Sequence, residues 1–128
     1  MKEEQGLQVL LMEPEENLRH FMCQLIDGTK GLACAGCLCS PLGLKRNIRL
    51  IKPNILLINL NAANELGYER LQDLKTSFPD LMIVLMDMEH GPRYRQLARQ
   101  AGADTFMSTV SAPEELERLI RSYSALMA

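Results

Sequence analysis

Two short runs, ILLIN (Ile55–Asn59) and LMIVLM (Leu81–Met86), limit what this chain can fold into more than any other feature of it. Each is too short for a helix and, until Asn59, free of polar side chains, which is the pattern of a strand covered on both faces. Helix-period segments stand between such runs. Gln8–Met12 (QVLLM) is a further apolar run, and Glu13-Pro14 opens a segment with Leu18, Phe21, Met22, Leu25 and Ile26 on one helical stripe. Pro14 suits the first turn of that helix and Asp27-Gly28 its left-handed end. Gly31–Gly36 (GLACAG) is a small-residue strand. Ser40-Pro41 offers a cap and first-turn proline to a second helix bearing Leu44, Ile48 and Ile51, which Pro53 stops.

Leu71, Leu74 and Phe78 share one face of a third helix ending before Pro79. Tyr94, Leu97, Ala98 and Ala101 mark a fourth, closed by Gly102, and Asp104–Ser108 (DTFMS) is the last strand. Ser111 with Glu114 forms a capping box ahead of a fifth helix carrying Leu116, Leu119, Ile120 and Tyr123. Strand and helix thus alternate five times, which predicts an α/β fold: a parallel sheet covered on both faces and doubly wound through right-handed crossovers. Ligands and reactive groups in such sheets gather beyond the carboxyl ends of the strands. Those ends are Glu13-Pro14, Cys37–Ser40, Asn59–Asn61, Met86-Asp87 and Ser108–Val110.

A chain of 128 residues fits one domain spanning residues 1–128, large enough to fold without staples. A net charge of −2 leaves no basic excess for direct contact with nucleic acid. The start, MKEEQGLQVLLM, is acidic and its apolar run too short for a signal peptide or a membrane span, so a cytoplasmic protein is expected.

The stretches VLLMEPEE, KPNILLINL, MIVLMDM and QLARQAGADTFMST, in this order and spacing, resemble the receiver domain of two-component response regulators. Ala101-Gly102-Ala103-Asp104 followed by an aromatic is typical of that family. The resemblance covers nearly the whole chain and implies a flavodoxin-like sheet in the order 2-1-3-4-5 with five helices. It also implies a site. Receivers carry two metal-holding acids after the first strand, where this chain has Glu13 and Pro14. Their phosphoacceptor aspartate is here Asn59, the hydroxyl residue ending the fourth strand is Met86, and the lysine late in the fifth strand is Thr109, followed by Val110 in place of proline. The Met-Pro pair after the acceptor is Ala62-Ala63. Gly67 is kept, as is the switch aromatic, Phe106.

These departures have chemical consequences. Phosphoryl transfer to a receiver needs a carboxylate nucleophile and yields an acyl phosphate. The oxygen of a carboxamide is uncharged and its nitrogen lone pair delocalised, so Asn59 cannot form that product. Mg²⁺ demands hard oxygen ligands in near-octahedral array, for which Glu13 beside a proline and an amide is a poor set. Loss of the lysine removes a cation that stabilises transferred charge. Plainer roles fit the same residues: Asn59 as a strand-end cap, Glu13 as an acid at a helix start, Met86 as core filling and Phe106 as a packed aromatic.

The segment CAGCLC is a separate signal. Cys34, Cys37 and Cys39, with a fourth ligand from Cys23, His20 or His90, could hold Zn²⁺ or an iron–sulfur cluster. The spacing lacks the second pair of a zinc ribbon, and alternation points Cys34 into the core, so small buried thiols and no metal are expected. Arg93, Arg95 and Arg99 lie on or near the fourth helix, and Glu114, Glu117, Arg118 and Arg121 on the fifth. The resemblance makes the fourth helix–fifth strand–fifth helix face an output surface, and its complementary charges would suit a homodimer.

The expected function is therefore a non-enzymatic, phosphorylation-independent receiver-like module without a cofactor. It would act through protein contacts, as a stand-alone adaptor or as the N-terminal part of a transcriptional regulator with an output domain. Two alternatives stand beside it: phosphorylation at Glu13 or Asp87, and a small-ligand or metal site built from the strand-end crevice and the cysteines.

Overall fold

In a computed structural model describing residues 6–89 and 91–128, five parallel strands form one sheet: β1 (Leu7–Met12), β2 (Leu32–Leu38), β3 (Ile55–Asn59), β4 (Met82–Asp87) and β5 (Thr105–Ser108). Their order is β2-β1-β3-β4-β5. Successive side chains of a strand point to opposite faces, and here both faces are core. Leu10, Met12, Leu56, Ile58, Ile83 and Leu85 face α2 (Leu44–Ile51), α3 (Leu60–Leu66), α4 (Tyr68–Ser77) and α5 (Pro92–Gln100). Val9, Leu11, Ile55, Leu57, Met82, Val84 and Met86 face α1 (Glu16–Asp27) and α6 (Ala112–Leu126). This is the doubly wound, flavodoxin-like arrangement. No helix among the described residues is long and apolar enough to cross a membrane.

The third crossover differs from expectation, giving six helices rather than five among the described residues. Residues Leu60–Leu66 (LNAANEL) form a helix of their own, separated from α4 by Gly67 at φ +96°. This piece buries only Ala62 and Ala63, so it lacks the broad apolar stripe by which helices are recognised. Several helix ends also depart from the local signals. Pro14 precedes α1 rather than lying in its first turn, and Glu15 caps the helix by accepting from the Asn17 and Leu18 amides. Gly28 ends α1 in the right-handed region, at φ −82°. Ser40 accepts from the Leu42 amide in a local turn, and α2 starts only after Gly43 at φ +74°. Ser111 caps α6 without a side-chain bond, so the expected capping box does not form.

The Ala-Gly-Ala-Asp motif has a structural explanation. Ala101 and Ala103 are buried, and Gly102, at φ +99°, lies where a Cβ would come within 2.5 Å of the Gln72 side chain. Asp104 Oδ2 accepts from the Ile83 amide at 2.8 Å and from Lys75 Nζ at 2.9 Å. One carboxylate thus ties β4 to α4 at the start of β5. Asp104→Ala is expected to lower the unfolding free energy by about 2 kcal/mol, the cost of losing charge-assisted bonds and leaving a buried amide unmet. It would be read as an earlier urea midpoint at unchanged slope.

Candidate functional site

Sheet register brings the strand-end residues into one row. Met12 pairs with Ile58, Asn59 with Met86, and Asp87 with Ser108. Glu13, one residue past β1, therefore meets Asn59 at the end of β3. Its backbone amide donates to the Leu38 carbonyl, which keeps it in line with the sheet.

Glu13 is buried, at 2% exposure, and each carboxylate oxygen has a donor. Oε1 accepts from Asn59 Nδ2 at 3.0 Å and Oε2 from the Glu15 amide at 2.9 Å. The other end of the Asn59 amide is used as well: Oδ1 accepts from the amides of Asn61 and Ala62 at 2.8 and 3.3 Å, capping α3. These partners fix the orientation of the carboxamide, since a flip would set oxygen against carboxylate and NH₂ against N–H groups. Asn59 is thus a bridge from a buried carboxylate to a helix start. The strand-end cap expected from sequence is observed.

The remaining pocket residues lie where the register places them. Met86 is wholly buried, in the core against α1 and α6, and offers no oxygen to the rim. Pro14 is exposed and its backbone carbonyl accepts from Arg19 Nη1 at 3.2 Å; the same nitrogen reaches the Glu13 carbonyl at 2.9 Å. Thr109 opens a 3-10 turn, Thr109–Ser111, beyond β5. The hydroxyl nearest it in the chain, Ser108 Oγ, donates to the Met88 carbonyl and accepts from the Val110 amide. Asp87 is half-buried at the end of β4. Glu15 and Arg19 were not foreseen as parts of the site. Their spacing, two and six residues after Glu13 across a helix start, is the signal that could have found them.

A divalent ion of the kind receivers hold does not fit this donor set. Among the described residues Glu13 supplies the one buried carboxylate, each of its oxygens already accepts a hydrogen bond, Pro14 has no ligand atom in its side chain, and the Asn59 face toward Glu13 is an N–H donor. Mg²⁺ needs several hard oxygens at near-octahedral angles.

Phe106 is buried and stacked on Tyr94, with ring centroids 5.4 Å apart. Arg118 Nη2 donates to its carbonyl at 2.8 Å while Nε donates to Glu115 Oε1. Arg118, expected as an interface charge, is thus engaged within the chain and ties α6 to β5. Arg93, Arg95 and Arg99 are exposed on α5, with the Arg93 guanidinium 5.3 Å from the Tyr94 ring centre. Glu114, Glu117 and Arg121 are exposed on α6.

The cysteines group differently from CAGCLC. Cys23, Cys34 and Cys37 converge, with their sulfur atoms all within 4.8 Å of one another, while Cys39 is exposed and outside the group. Cys34 Sγ lies 3.1 Å from Cys23 Sγ and 3.3 Å from Cys37 Sγ. Cys23 and Cys34 are half-buried and pack against the core on the α1–α6 side, as expected for Cys34, whereas Cys37 and Cys39 are exposed, contrary to the expected buried thiols. Burial, reinforced by the contact with Cys23, still pushes the Cys34 and Cys37 thiols above the usual cysteine range. His20 lines a cleft of about 440 Å³ with Cys23 and Cys37, and His90 lies outside the described residues. Another cleft, of about 580 Å³, opens at the amino ends of the strands, lined by Lys52, Pro53, Asn54, Phe78 and Tyr123 among others, away from the strand-end row.

No protein-family model matches this sequence, and no curated protein matches it. Solved structures do. One is a LuxR-family two-component response regulator from Aurantimonas sp. SI85-9A1, at 22% identity over 94% of this chain and 86% of that one, with a TM-score of 0.78. The signal receiver domain of the response regulator NarL from Mycobacterium tuberculosis matches at 13% identity over 94% and 98%, with a TM-score of 0.79. The response regulator domain of CheB from Thermotoga maritima matches at 17% over 96% and 97%, with a TM-score of 0.71. At these identities the likeness is one of fold, and the fold is that of receiver domains.

The Glu13–Asn59 bond yields a sharp exchange experiment. Asn59→Asp keeps the helix cap but sets one carboxylate against another, and is expected to cost about 2–3 kcal/mol through a lost bond to a charged group and like-charge repulsion. Glu13→Gln with Asn59→Asp should recover most of that loss. The amide then sits on residue 13, donates to the new carboxylate and still accepts from the Glu15 amide. A double-mutant cycle by chemical denaturation measures the coupling.

Proposed function

We propose that this chain is a receiver-like regulatory module that acts through protein contacts and carries out no phosphoryl transfer. The observation that carries the reading is the two-ended use of the Asn59 amide, with nitrogen on Glu13 and oxygen on the start of α3. At the position where an acceptor carboxylate would stand, neither atom of the side chain is a free nucleophile. Attack on phosphorus would need an anionic oxygen and would leave an acyl phosphate; a carboxamide supplies the first in no protonation state reached near neutral pH. Met86 in place of a hydroxyl and Thr109 in place of an ammonium withdraw the groups that would hold the transferred charge.

With the pocket serving as a structural link, the regulated quantity is a contact with a partner or an output domain. The exposed arginines of α5 beside the acidic face of α6 make the α5–β5–α6 side the proposed contact surface. Phe106, packed on Tyr94 beneath that face, supports a fixed rather than a switching surface. An isologous pair across this side would set Arg95 or Arg99 of one copy against Glu114 or Glu117 of the other.

Incubation with acetyl phosphate and Mg²⁺ followed by intact mass measurement is expected to leave the mass unchanged, for the natural chain and for Asn59→Asp alike. A gain of one phosphoryl group that hydroxylamine removes would overturn the reading, whether the acceptor proved to be Glu13 or Asp87. Sedimentation over a rising concentration series is expected to show self-association that weakens as salt screens the arginine–glutamate pairs. A monomer throughout, indifferent to salt, would remove the homodimer and leave the surface to a different partner.

A further inference from the structure

β2 is an edge strand of the sheet and pairs with β1 alone among the described strands. Its sequence, LACAGCL, places Cys34 and Cys37 three residues apart, which in a regular strand would send them to opposite faces. The pairing is not regular. Val9 is opposite Cys34 and Leu10 is opposite Gly36, so Ala35 is an extra residue in a β-bulge. After the bulge Cys37 pairs with Leu11. Val9 and Leu11 both face α1 and α6, and the two cysteines now share that face. There they meet Cys23 of α1, and Asp27, one turn further along the same helix, accepts the Cys34 amide at 2.7 Å and fixes strand to helix.

We propose that Cys23, Cys34 and Cys37 form a thiolate site for a thiophilic closed-shell metal ion of the Zn²⁺ class. The ligands come from two elements already held by the core, so the site exists before the ion arrives. Tetrahedral coordination at Zn–S distances of about 2.3 Å sets sulfur atoms roughly 3.8 Å apart. Here they lie between 3.1 Å and the 4.8 Å limit of the group, so rotation about the Cβ–S arms accommodates an ion. The fourth position faces the cleft that His20, one helical turn before Cys23, lines together with Cys23 and Cys37. Three S–H groups exchange their protons for three metal–sulfur bonds, so binding releases protons and is favoured by rising pH. Soft sulfur donors select this ion class over Mg²⁺ or Ca²⁺. The site is separate from the Glu13–Asn59 bridge and stands whatever becomes of the proposed function.

The test uses reduced, chelator-stripped protein titrated with Zn²⁺ against a chromophoric chelator, with Co²⁺ as a spectroscopic substitute. One ion per chain is expected, and the Co²⁺ form should show thiolate-to-metal charge-transfer bands. Cys34→Ser and the more exposed Cys37→Ser should each weaken Zn²⁺ binding by at least the roughly 10–100-fold that loss of an outer-shell partner costs a metal site, since here a ligand itself is removed. Cys39→Ser should leave it unchanged, and circular dichroism confirms that the variants are folded. The proposal is overturned by reduced protein that takes up no Zn²⁺ at micromolar concentration, by Cys39→Ser weakening binding as much as Cys34→Ser, or by a Co²⁺ spectrum without sulfur bands.

Discussion

A strand inside a parallel sheet has no partner for its backbone except the strands beside it, and no cover for its side chains except helices. β3 meets this constraint in full: it pairs with β1 on one side and β4 on the other, and Ile55 through Ile58 are buried on both faces. The rest of the molecule follows from keeping it so. Asn54 starts the strand by accepting from the Gln8 amide, donates to the Tyr123 hydroxyl of α6, and passes its carbonyl to Met82 at the head of β4. At the other end, the registers of β1 and β4 against β3 leave Glu13, Asn59 and Met86 side by side. The site is where it is because the sheet is in register.

At that row a buried carboxylate has to be satisfied, since a charge taken out of water without partners is costly. In a receiver that carries the full acidic set, metal and lysine would meet the demand. Here a neutral amide does so. It donates to Glu13 and gives its oxygen to the amides that open α3, so one side chain joins two strand ends and a helix start. This also explains why Leu60–Leu66 is helical in spite of its weak apolar pattern: its first amides are capped from the strand.

The sheet edge follows a different logic. A central strand cannot absorb an extra residue without breaking two ladders, whereas an edge strand breaks one. β2 carries its bulge there, with Gly36 lying against Ile51 and Leu10 where a Cβ would be tight. The displaced register turns two cysteines of opposite parity onto one face and brings them to a third on α1.

The order of strands and helices was legible in the residues because period-two and period-3.6 burial are written directly into side-chain chemistry; Ile55–Asn59 emerged with the bounds expected, and Leu81–Met86 within a residue of them. That Asn59, Met86 and Ser108 would stand at strand ends was equally legible, because the ends of apolar runs can be read without coordinates. Helix ends were less so: Ser40, Gly28 and Ser111 carried the right local signals, yet α2 starts at Gly43, α1 ends in a right-handed turn and α6 starts at Ser111 without a side-chain bond, since tertiary packing outweighs capping preferences of about 1 kcal/mol. Sequence alone fixed which chemical groups stand at the strand ends. Only the folded chain decided which of them touch, that Asn59 nitrogen rests on Glu13, that Arg118 turns inward, and that Cys23 rather than Cys39 completes the thiol group. Those contacts depend on register and on one bulged residue, and both are set by the packing of the whole sheet.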